Sequence, residues 1–200
     1  MAKYLIYLAS GSARRFGSNK LLFPLEGKPL FLYGLETLAE AAAQREGTTL
    51  TVASRYPVIR AAAEKLGAAA VDSPYSQLGL SHTIRAGLDA LPPLKAEDFV
   101  LFAVADQPWL QTLTVLRLMD AARHGVPAGT TVWEGRAGSP TFFSAALVPR
   151  LRQLEGDQGG RVLLRSLGSA CVGVPAGSGR ELEDVDWPEQ LREPGRGRLR

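Results

Sequence analysis

The sequence predicts an α/β fold, with a mixed and mostly parallel sheet flanked by helices in one domain of residues 1–191. Three observations predict it: β-branched apolar segments alternate with helical patterns, one pair of strands interrupts the alternation, and 200 residues suit a single medium-sized domain. Apolar residues make up 46% of the chain and charged residues 22%, as in ordinary globular proteins. This composition excludes a disordered or fibrous protein.

The predicted strands and helices alternate along most of the chain. Six strands are predicted from apolar runs with β-branched or aromatic residues: Tyr4–Leu8, Leu50–Ala53, Ala69–Val71, Phe99–Val104, Thr130–Trp133 and Cys171–Val174. Six helices are predicted from apolar residues at helical spacing: Phe31–Ala43, Pro57–Lys65, Ser81–Ala90, Leu113–Arg123, Ala145–Gln153 and Arg161–Leu167. The first and third helices contain small residues that allow close packing on a sheet.

The interruption lies between the fifth and sixth predicted strands. Thr130–Trp133 and Thr141–Phe143 both have a strand pattern, and residues 134–138 between them form a glycine-bounded turn. Because the two strands of a hairpin are antiparallel, the sheet is expected to be mixed.

The excess positive charge lies near the C-terminus. The sequence pI is about 9.2, but residues 192–200 hold four arginines and one glutamate and so carry the whole formal net charge of +3. We expect this segment to be a basic flexible tail, with a weak polyanion contact as the alternative. No nucleic-acid partner is expected for residues 1–191.

The single cysteine and the first apolar run of the sequence indicate the cellular compartment in which the protein is expected. Cys171 is the only cysteine, which excludes an internal disulfide and a cysteine-rich metal site, and its apolar neighbours favour an inert thiol over a nucleophile. The apolar run Tyr4–Ala9 is too short for a signal sequence or a membrane span. We therefore expect a cytoplasmic protein with no membrane contact.

The segment after the first predicted strand has the residue types that bind phosphate. Ligands of open α/β sheets bind beyond the carboxyl ends of the strands. Small residues such as Ser10 and Gly11 let backbone amides approach an anion, and Arg15 and Lys20 could neutralise its charge. The spacing fits neither a Walker A loop nor a dinucleotide-binding fingerprint. A purely structural loop is the alternative.

Two acidic positions are candidate metal ligands. Asp106 stands almost directly after the strand Phe99–Val104, and Asp184 and Asp186 form a second acidic cluster. Magnesium in phosphoryl chemistry usually takes one or two carboxylates. The alternatives are a helix cap for Asp106 and a solvated turn for the second cluster.

A third candidate segment precedes the helix predicted from Ser81. The helix start would offer free amides and the positive end of its dipole to a ribose or phosphate, and Gly79 would allow close approach. The alternative is that the Ser81 hydroxyl only caps the helix.

Taken together, these segments resemble the MobA-like nucleotidyltransferases, in particular the molybdenum cofactor cytidylyltransferase branch. The matching segments occur in the family's order over nearly the whole chain except the tail. They are Leu8-Ala9-Ser10-Gly11-x-x-x-Arg15-Phe16-Gly17-x-Asn19-Lys20, Leu25-x-Gly27-Lys28-Pro29-Leu30, Gly79-Leu80-Ser81 with Ile84-Arg85-Ala86-Gly87-Leu88, Ala105-Asp106-Gln107-Pro108, Gly135-Arg136-x-Gly138-x-Pro140 with Phe142-Phe143, Gly156-Asp157-x-Gly159 with Leu163-Leu164, and Asp184-x-Asp186-x-Pro188-Glu189.

The resemblance implies a Rossmann-like domain of the nucleotide-diphospho-sugar transferase type. Such a domain transfers a nucleotidyl group from a nucleoside triphosphate to a phosphorylated acceptor and releases pyrophosphate, with Mg²⁺ as cofactor. Arg15, Lys20 and Asp106 would be catalytic, the two cations by holding the triphosphate, and Asp106 and Asp186 would ligate the metal. The nucleotide site implied by the resemblance comprises Leu8, Ala9, Ser10, Gly11, Arg15, Lys20, Gly79 and Ser81. Since the acceptor phosphate is itself the nucleophile, no side-chain nucleophile is needed.

The resemblance also bears on the substrates. Ser10 stands where the guanylyl branch usually has glycine, and Gly79 to Ser81 resembles an element of the cytidylyl branch, so CTP is favoured over GTP. The implied acceptor is molybdopterin or the molybdenum cofactor, and a molybdoenzyme or its chaperone would receive the product. Ala13 and Ser139 replace the usual serine and histidine of the family. The alternatives are a molybdopterin guanylyltransferase, transfer to a sugar or polyol phosphate, and a non-catalytic nucleotide- or cofactor-binding module.

Overall fold

A seven-stranded sheet forms the centre of the computed structural model, which describes residues 1–11 and 19–186. In chain order the strands are β1 (Lys3–Leu8), β2 (Pro24–Leu25), β3 (Lys28–Pro29), β4 (Thr48–Ala53), β5 (Ala69–Val71), β6 (Phe99–Val104), β7 (Ala128–Trp133), β8 (Arg136–Ser144) and β9 (Cys171–Pro175). The sheet order is β5-β4-β1-β6-β8-β7-β9, and β2 pairs with β3 in a separate two-stranded ribbon. Only β8 runs antiparallel to its neighbours in the large sheet. The predicted α/β fold with a mixed, mostly parallel sheet is confirmed.

Helices cover both faces of the sheet. They are α1 (Leu30–Ala43), α2 (Pro57–Lys65), α3 (Leu80–Asp89), α4 (Thr112–Ala121), α5 (Val148–Arg152) and α6 (Arg161–Leu167). Side chains of α1, α2 and α4 share one apolar cluster with Leu5 and Tyr7 of β1, whereas those of α3, α5 and α6 share another with Ile6 and Leu8. Successive side chains of a strand point to opposite faces. A continuously apolar strand such as β1 is therefore buried on both sides.

The small residues of α1 and α3 lie where these helices approach β1 most closely. A Cβ placed on Gly34 would lie 2.6 Å from the Tyr7 hydroxyl oxygen, and one on Gly87 would lie 2.5 Å from Ile6 Cγ2. Contacts this short leave no room for a side chain, which confirms the close packing expected for the first and third helices.

Two expected elements differ from the structure. The hairpin turn is only two residues long, because Glu134 (φ 46°) and Gly135 (φ 78°) both adopt the positive φ of a type I′ turn, and β8 therefore begins at Arg136. The helix expected over Ala145–Gln153 is a 3-10 turn of three residues followed by the shorter α5, which has Pro149 in its first turn. Proline lacks the N–H of a helix interior and is favoured in the first turn.

The parallel register brings the carboxyl ends of three strands together. Leu8, the last residue of β1, pairs with Ala53 of β4 and with Val104 of β6. The chain segments that follow these strands therefore leave the sheet at one edge.

Within residues 1–11 and 19–186, no helix is long and apolar enough to cross a membrane. The predicted tail of residues 192–200 lies outside the described residues.

Candidate functional site

A cleft of about 550 Å³ opens at this carboxyl edge. Most of the residues proposed from the sequence line it: Leu8, Ser10, Gly11, Lys20, Gly79, Asp106 and Asp186. Arg15 lies outside the described residues, as does Ala13. The cleft therefore brings together four segments that are far apart in the sequence, around residues 8–20, Gly79, Asp106 and Asp186.

Lys20 is held at the floor of the cleft by local structure and by acidic partners. It begins a 3-10 helix over Lys20–Leu22, whose N-cap Asn19 accepts a hydrogen bond from Leu21 N at 3.1 Å. Lys20 Nζ donates to Asp106 Oδ2 at 2.8 Å and to Asp186 Oδ1 at 3.4 Å. Residue Lys20 is only 8% exposed, so the cation is buried and paired, as buried charges must be.

The electrostatics of Lys20 favour its charged form. Burial lowers the pKa of the ammonium, but the negative charge of Asp106 and the hydrogen bonds with Asp106 and Asp186 outweigh this, so that the pKa lies above its usual value. Lys20 is therefore a permanent cation in the cleft at neutral pH.

Asp106 is placed by the end of β6 and by a chain segment from the C-terminal part of the protein. Its carbonyl oxygen accepts a hydrogen bond from Val185 N at 2.9 Å, and its carboxylate is 25% exposed to the cleft. The next helix, α4, begins at Thr112 with Gln111 as its N-cap. The alternative of a capping role for Asp106 is therefore wrong.

A buried amide supports the same C-terminal segment. Gln107 is 3% exposed, and its Nε2 donates to Asp184 Oδ1 at 2.8 Å and to Leu182 O at 3.4 Å. Desolvation by the surrounding protein and the charge of Asp106 raise the pKa of Asp184, although this residue also keeps some exposure to solvent. Gln107 thus links the loop after β6 to the segment that carries Asp186.

Tyr7 lies directly beneath the site, in the core. Its hydroxyl donates to Phe31 O at 2.8 Å, and its side chain is fully buried. Burial, with a further contribution from the charge of Asp106, raises the pKa of the phenol well above its usual value. This phenol therefore stays neutral under Asp106.

The segment after β1 is fixed to the end of β4 by hydrogen bonds of both its side chains and its backbone. Ser10 Oγ donates to Ala53 O at 3.3 Å and accepts from Arg55 N at 3.1 Å. Ala9 is fully buried, and its carbonyl oxygen accepts from Ser54 Oγ at 2.6 Å. The Ser10 hydroxyl thus joins the ends of β1 and β4, while Gly11 beyond it is exposed.

Gly79 lies in the wall of the cleft where two backbone segments touch, whereas the predicted site residue Ser81 is buried and does not line the cleft. Gly79 has φ 128° and is the N-cap of α3, and a Cβ at this position would lie 2.2 Å from both the carbonyl carbon and oxygen of Gly156. Ser81 N donates to Gly156 O at 3.0 Å. Since α3 begins at Leu80, Ser81 lies inside its first turn and is fully buried, so the capping alternative for its hydroxyl is wrong.

The donor set suits a hard divalent cation. Asp106 and Asp186 both contact one ammonium group, that of Lys20, so one oxygen of each already lies near a single positive charge. Magnesium and manganese prefer oxygen ligands and commonly take one or two carboxylates beside waters and phosphates. The part of the chain that the structure describes contains no group of three or more histidine, cysteine, aspartate or glutamate side chains that could form a closed metal site.

Several cleft residues had no role in the sequence predictions. Beyond the predicted set, the lining includes Leu21, Ser76, Gln77, Leu80, Thr83, Val104, Ala105 and Asp157. Asp157 belongs to the segment Gly156-Asp157-x-Gly159, but nothing in that pattern indicates that it lines the same cleft as Asp106. Cys171 is half-buried, and burial raises the pKa of its thiol, which agrees with an inert role.

Known proteins share both the sequence pattern and the fold. Residues 5–171 match the family model of the MobA-like NTP transferase domain. The purine catabolism protein PucB of Bacillus subtilis is 30% identical over 198 residues, covering 92% of each chain. A nucleotidyl transferase from Methanothermobacter superposes with a TM-score of 0.73 and 22% identity, covering 96% of this chain and 95% of the other.

A further solved structure, Rv0371c of Mycobacterium tuberculosis in complex with manganese, has a TM-score of 0.71 and 21% identity, covering 96% and 97% of the two chains. At these identities the structural likeness establishes the fold, whereas the family match extends over most of the chain. The protein belongs to the MobA-like NTP transferase family.

Proposed function

We propose that this protein is a metal-dependent cytidylyltransferase, which transfers CMP from CTP to the phosphate of a molybdopterin-type acceptor and releases pyrophosphate. The observation that carries the proposal is the meeting of Lys20, Asp106 and Asp186 at the end of β1 and β6, beside the exposed backbone of Gly11. This arrangement offers a cation, two carboxylates and the exposed residue Gly11 to one ligand. A nucleoside triphosphate with its metal has the complementary groups.

The residues divide the work between phosphate binding and metal binding. The backbone at Gly11 and the cations Lys20 and Arg15 would hold the triphosphate and stabilise the charge that develops on the departing pyrophosphate. Asp106 and Asp186 would hold Mg²⁺ or Mn²⁺, which polarises phosphoryl oxygens and neutralises charge when bound. An oxygen of the acceptor phosphate attacks the α-phosphorus, and the bond between the α- and β-phosphates breaks. No protein nucleophile is required.

The choice of CTP and of the acceptor rests on the sequence pattern. Ser10 before Gly11, and Gly79 with Ser81, resemble the cytidylyl branch of the family. Transfer to a sugar or polyol phosphate is the competing proposal, favoured by the departure at Ser139, whose Oγ accepts a hydrogen bond from Val104 N at 3.3 Å beside the cleft.

The test is pyrophosphate release with each of the four nucleoside triphosphates, a divalent cation and molybdopterin, with sugar and polyol phosphates as a comparison panel. We expect release with molybdopterin and a preference for CTP. A preference for GTP would change the assignment to a guanylyltransferase. Binding of nucleotide with no release for any acceptor would identify a non-catalytic module.

A matched pair of variants tests the metal ligand. Asp106→Asn should lower turnover at least about a hundredfold, because it removes charge from the metal site. Asp120→Asn is the control, since that carboxylate pairs with Arg45 on the protein surface. Equal turnover of the Asp106 variant and the wild type would contradict the metal role.

Localisation of the native protein by cell fractionation tests the further proposal that it is cytoplasmic.

A further inference from the structure

The ammonium of Lys20 has all three of its N–H donors within reach of protein acceptors. Nζ donates to Asp106 Oδ2 at 2.8 Å, to Val185 O at 2.9 Å and to Asp186 Oδ1 at 3.4 Å. A lysine ammonium has three N–H donors, and this side chain is only 10% exposed. In this arrangement no donor is left for a phosphate oxygen.

The oxygens that surround Lys20 are also those best placed for a divalent cation. Oδ2 of Asp106 and Oδ1 of Asp186 both face the ammonium. A metal bound by the same oxygens would lie beside a like charge, and repulsion at such distances is strong away from bulk water. Lys20 and the metal therefore compete for the two carboxylates.

We propose that Lys20 is an internal substitute for the metal, which holds Asp106 and Asp186 together in the free protein and moves to the triphosphate when the divalent cation replaces it. This inference rests on the proposed function, which gives the metal the same two ligands. The exchange makes and breaks no covalent bond. The carboxylates pass from ammonium to metal, and the displaced ammonium donates to phosphate oxygens.

The exchange couples the two ligands of the site. Without a triphosphate, metal binding must displace a buried ammonium from both of its carboxylate partners, which leaves it only the neutral Val185 O among the acceptors it contacts in the part of the chain that the structure describes. With a triphosphate, the phosphates supply acceptors for the ammonium and further ligands for the metal. The free protein should therefore bind the bare metal weakly, and metal and nucleotide should bind cooperatively.

The fold around Lys20 has attachments that do not depend on its charge. Val185 N donates to Asp106 O at 2.9 Å, and the Val185 side chain is fully buried. Lys20→Met keeps most of the aliphatic stem and removes only the ammonium. This variant is therefore expected to fold.

The experiment is a titration of the protein with Mn²⁺ alone, followed by the electron paramagnetic resonance signal of free Mn²⁺ at constant pH. Lys20→Met should bind Mn²⁺ at least about tenfold more tightly than the wild type, because the competing cation is gone. Lys65→Met removes an exposed lysine of α2 and should leave the affinity unchanged. Adding Asp106→Asn to Lys20→Met should abolish the gain.

The outcomes separate this inference from the proposed function. Equal or weaker Mn²⁺ binding by Lys20→Met than by the wild type would overturn the exchange and leave the proposed reaction standing. No Mn²⁺ binding by any form, with or without CTP, would overturn both. A crystal structure of the wild type with Mn²⁺ and CTP gives a second readout that needs no variant: the ammonium should have left Asp106 for the phosphates, and an ammonium still bonded to both carboxylates would refute the exchange.

Discussion

Replacement of Gly79 by alanine tests the close contact between Gly79 and Gly156 that forms one wall of the cleft. The backbone of Gly79 has φ 128° and ψ 169°, a region that only glycine adopts readily and that costs other residues about 1–3 kcal/mol. The added Cβ would also lie 2.2 Å from the carbonyl group of Gly156. Since ordinary Cβ contacts begin at 3.4 Å, the two segments would have to separate by roughly 1 Å, at a cost of about 1–3 kcal/mol for overpacking.

The combined cost for Gly79→Ala is therefore about 2–6 kcal/mol, a large part of the roughly 5–15 kcal/mol typical of a domain. Separation would also weaken the bond from Ser81 N to Gly156 O and widen the cleft. We expect a lower free energy of unfolding in urea and a smaller rise in melting temperature on addition of CTP with metal.

Gly67→Ala is the matched control for backbone conformation. Gly67 has φ 76°, but a Cβ there would meet no atom within 4 Å, so the substitution should cost only about 1 kcal/mol. If Gly79→Ala destabilised the protein no more than Gly67→Ala, the contact with Gly156 would not determine this wall, and our reasoning would be refuted.

Three further predictions concern Gly34, Tyr7 and Gly11. Gly34→Ala should lower the free energy of unfolding by about 2 kcal/mol, because its Cβ would lie 2.6 Å from the Tyr7 hydroxyl oxygen. In the Tyr7→Phe background, where that oxygen is absent, the same substitution should cost less. Strictly additive costs of the two substitutions in a double-mutant cycle would contradict this explanation. The raised pKa of buried Tyr7 predicts that the free energy of unfolding falls as pH rises above about 10, because only the unfolded chain then releases the phenolic proton. The free energy of unfolding of Tyr7→Phe relative to wild type should therefore rise by about 1 kcal/mol between pH 9 and 11. A difference between the two proteins in urea unfolding that stays constant over this pH range would contradict the prediction. Gly11→Ala should change the free energy of unfolding by no more than about 0.5 kcal/mol, since its Cβ would meet no atom within 4 Å. The same substitution should weaken CTP binding measured by calorimetry, because the added methyl group would obstruct a phosphate that approaches the backbone. An unchanged affinity for CTP would show that no phosphate approaches the backbone at Gly11.

Much of the fold could be predicted because local pattern and tertiary packing agree. β6, for example, is a continuous apolar run that includes the β-branched residues Val100 and Val104, and its predicted bounds, Phe99–Val104, match those observed. The errors lie where a short turn or a proline decides the boundary, as at Glu134 and Pro149. The ribbon of β2 and β3 was missed because each strand has two residues, too few to show a period.

The residues of the candidate site could be predicted from the sequence, but the contact between Asp186 and the other site residues could not be derived from the strand pattern. Asp106 follows β6 and the segment that leads to Lys20 follows β1, and because the carboxyl ends of these strands align, both were expected at the same edge of the sheet. The approach of Asp186 could not be predicted in the same way, because it follows β9, which lies three strands from β6 in the sheet. Its position depends on a loop that returns across the edge, and no local pattern specifies that path.

The anchoring of this returning loop explains how a distant carboxylate can belong to the site. Glu181 is 1% exposed, and its carboxylate accepts hydrogen bonds from three backbone amides, those of Gln111 at 3.1 Å, Gly177 at 2.7 Å and Ser178 at 3.2 Å. Backbone donors of this kind stabilise a buried carboxylate and fix it in place. The segment from Glu181 onwards is thus bound to the start of α4, then to Gln107 and to the backbone of Asp106. Because each of these contacts lies within the loop after β6 or just before α4, the carboxylate of Asp186 and the carboxylate of Asp106 are held against the same part of the sheet. The cation exchange that we propose between them would need such a fixed separation, and the hydrogen bonds of the buried Glu181 anchor the segment that provides it.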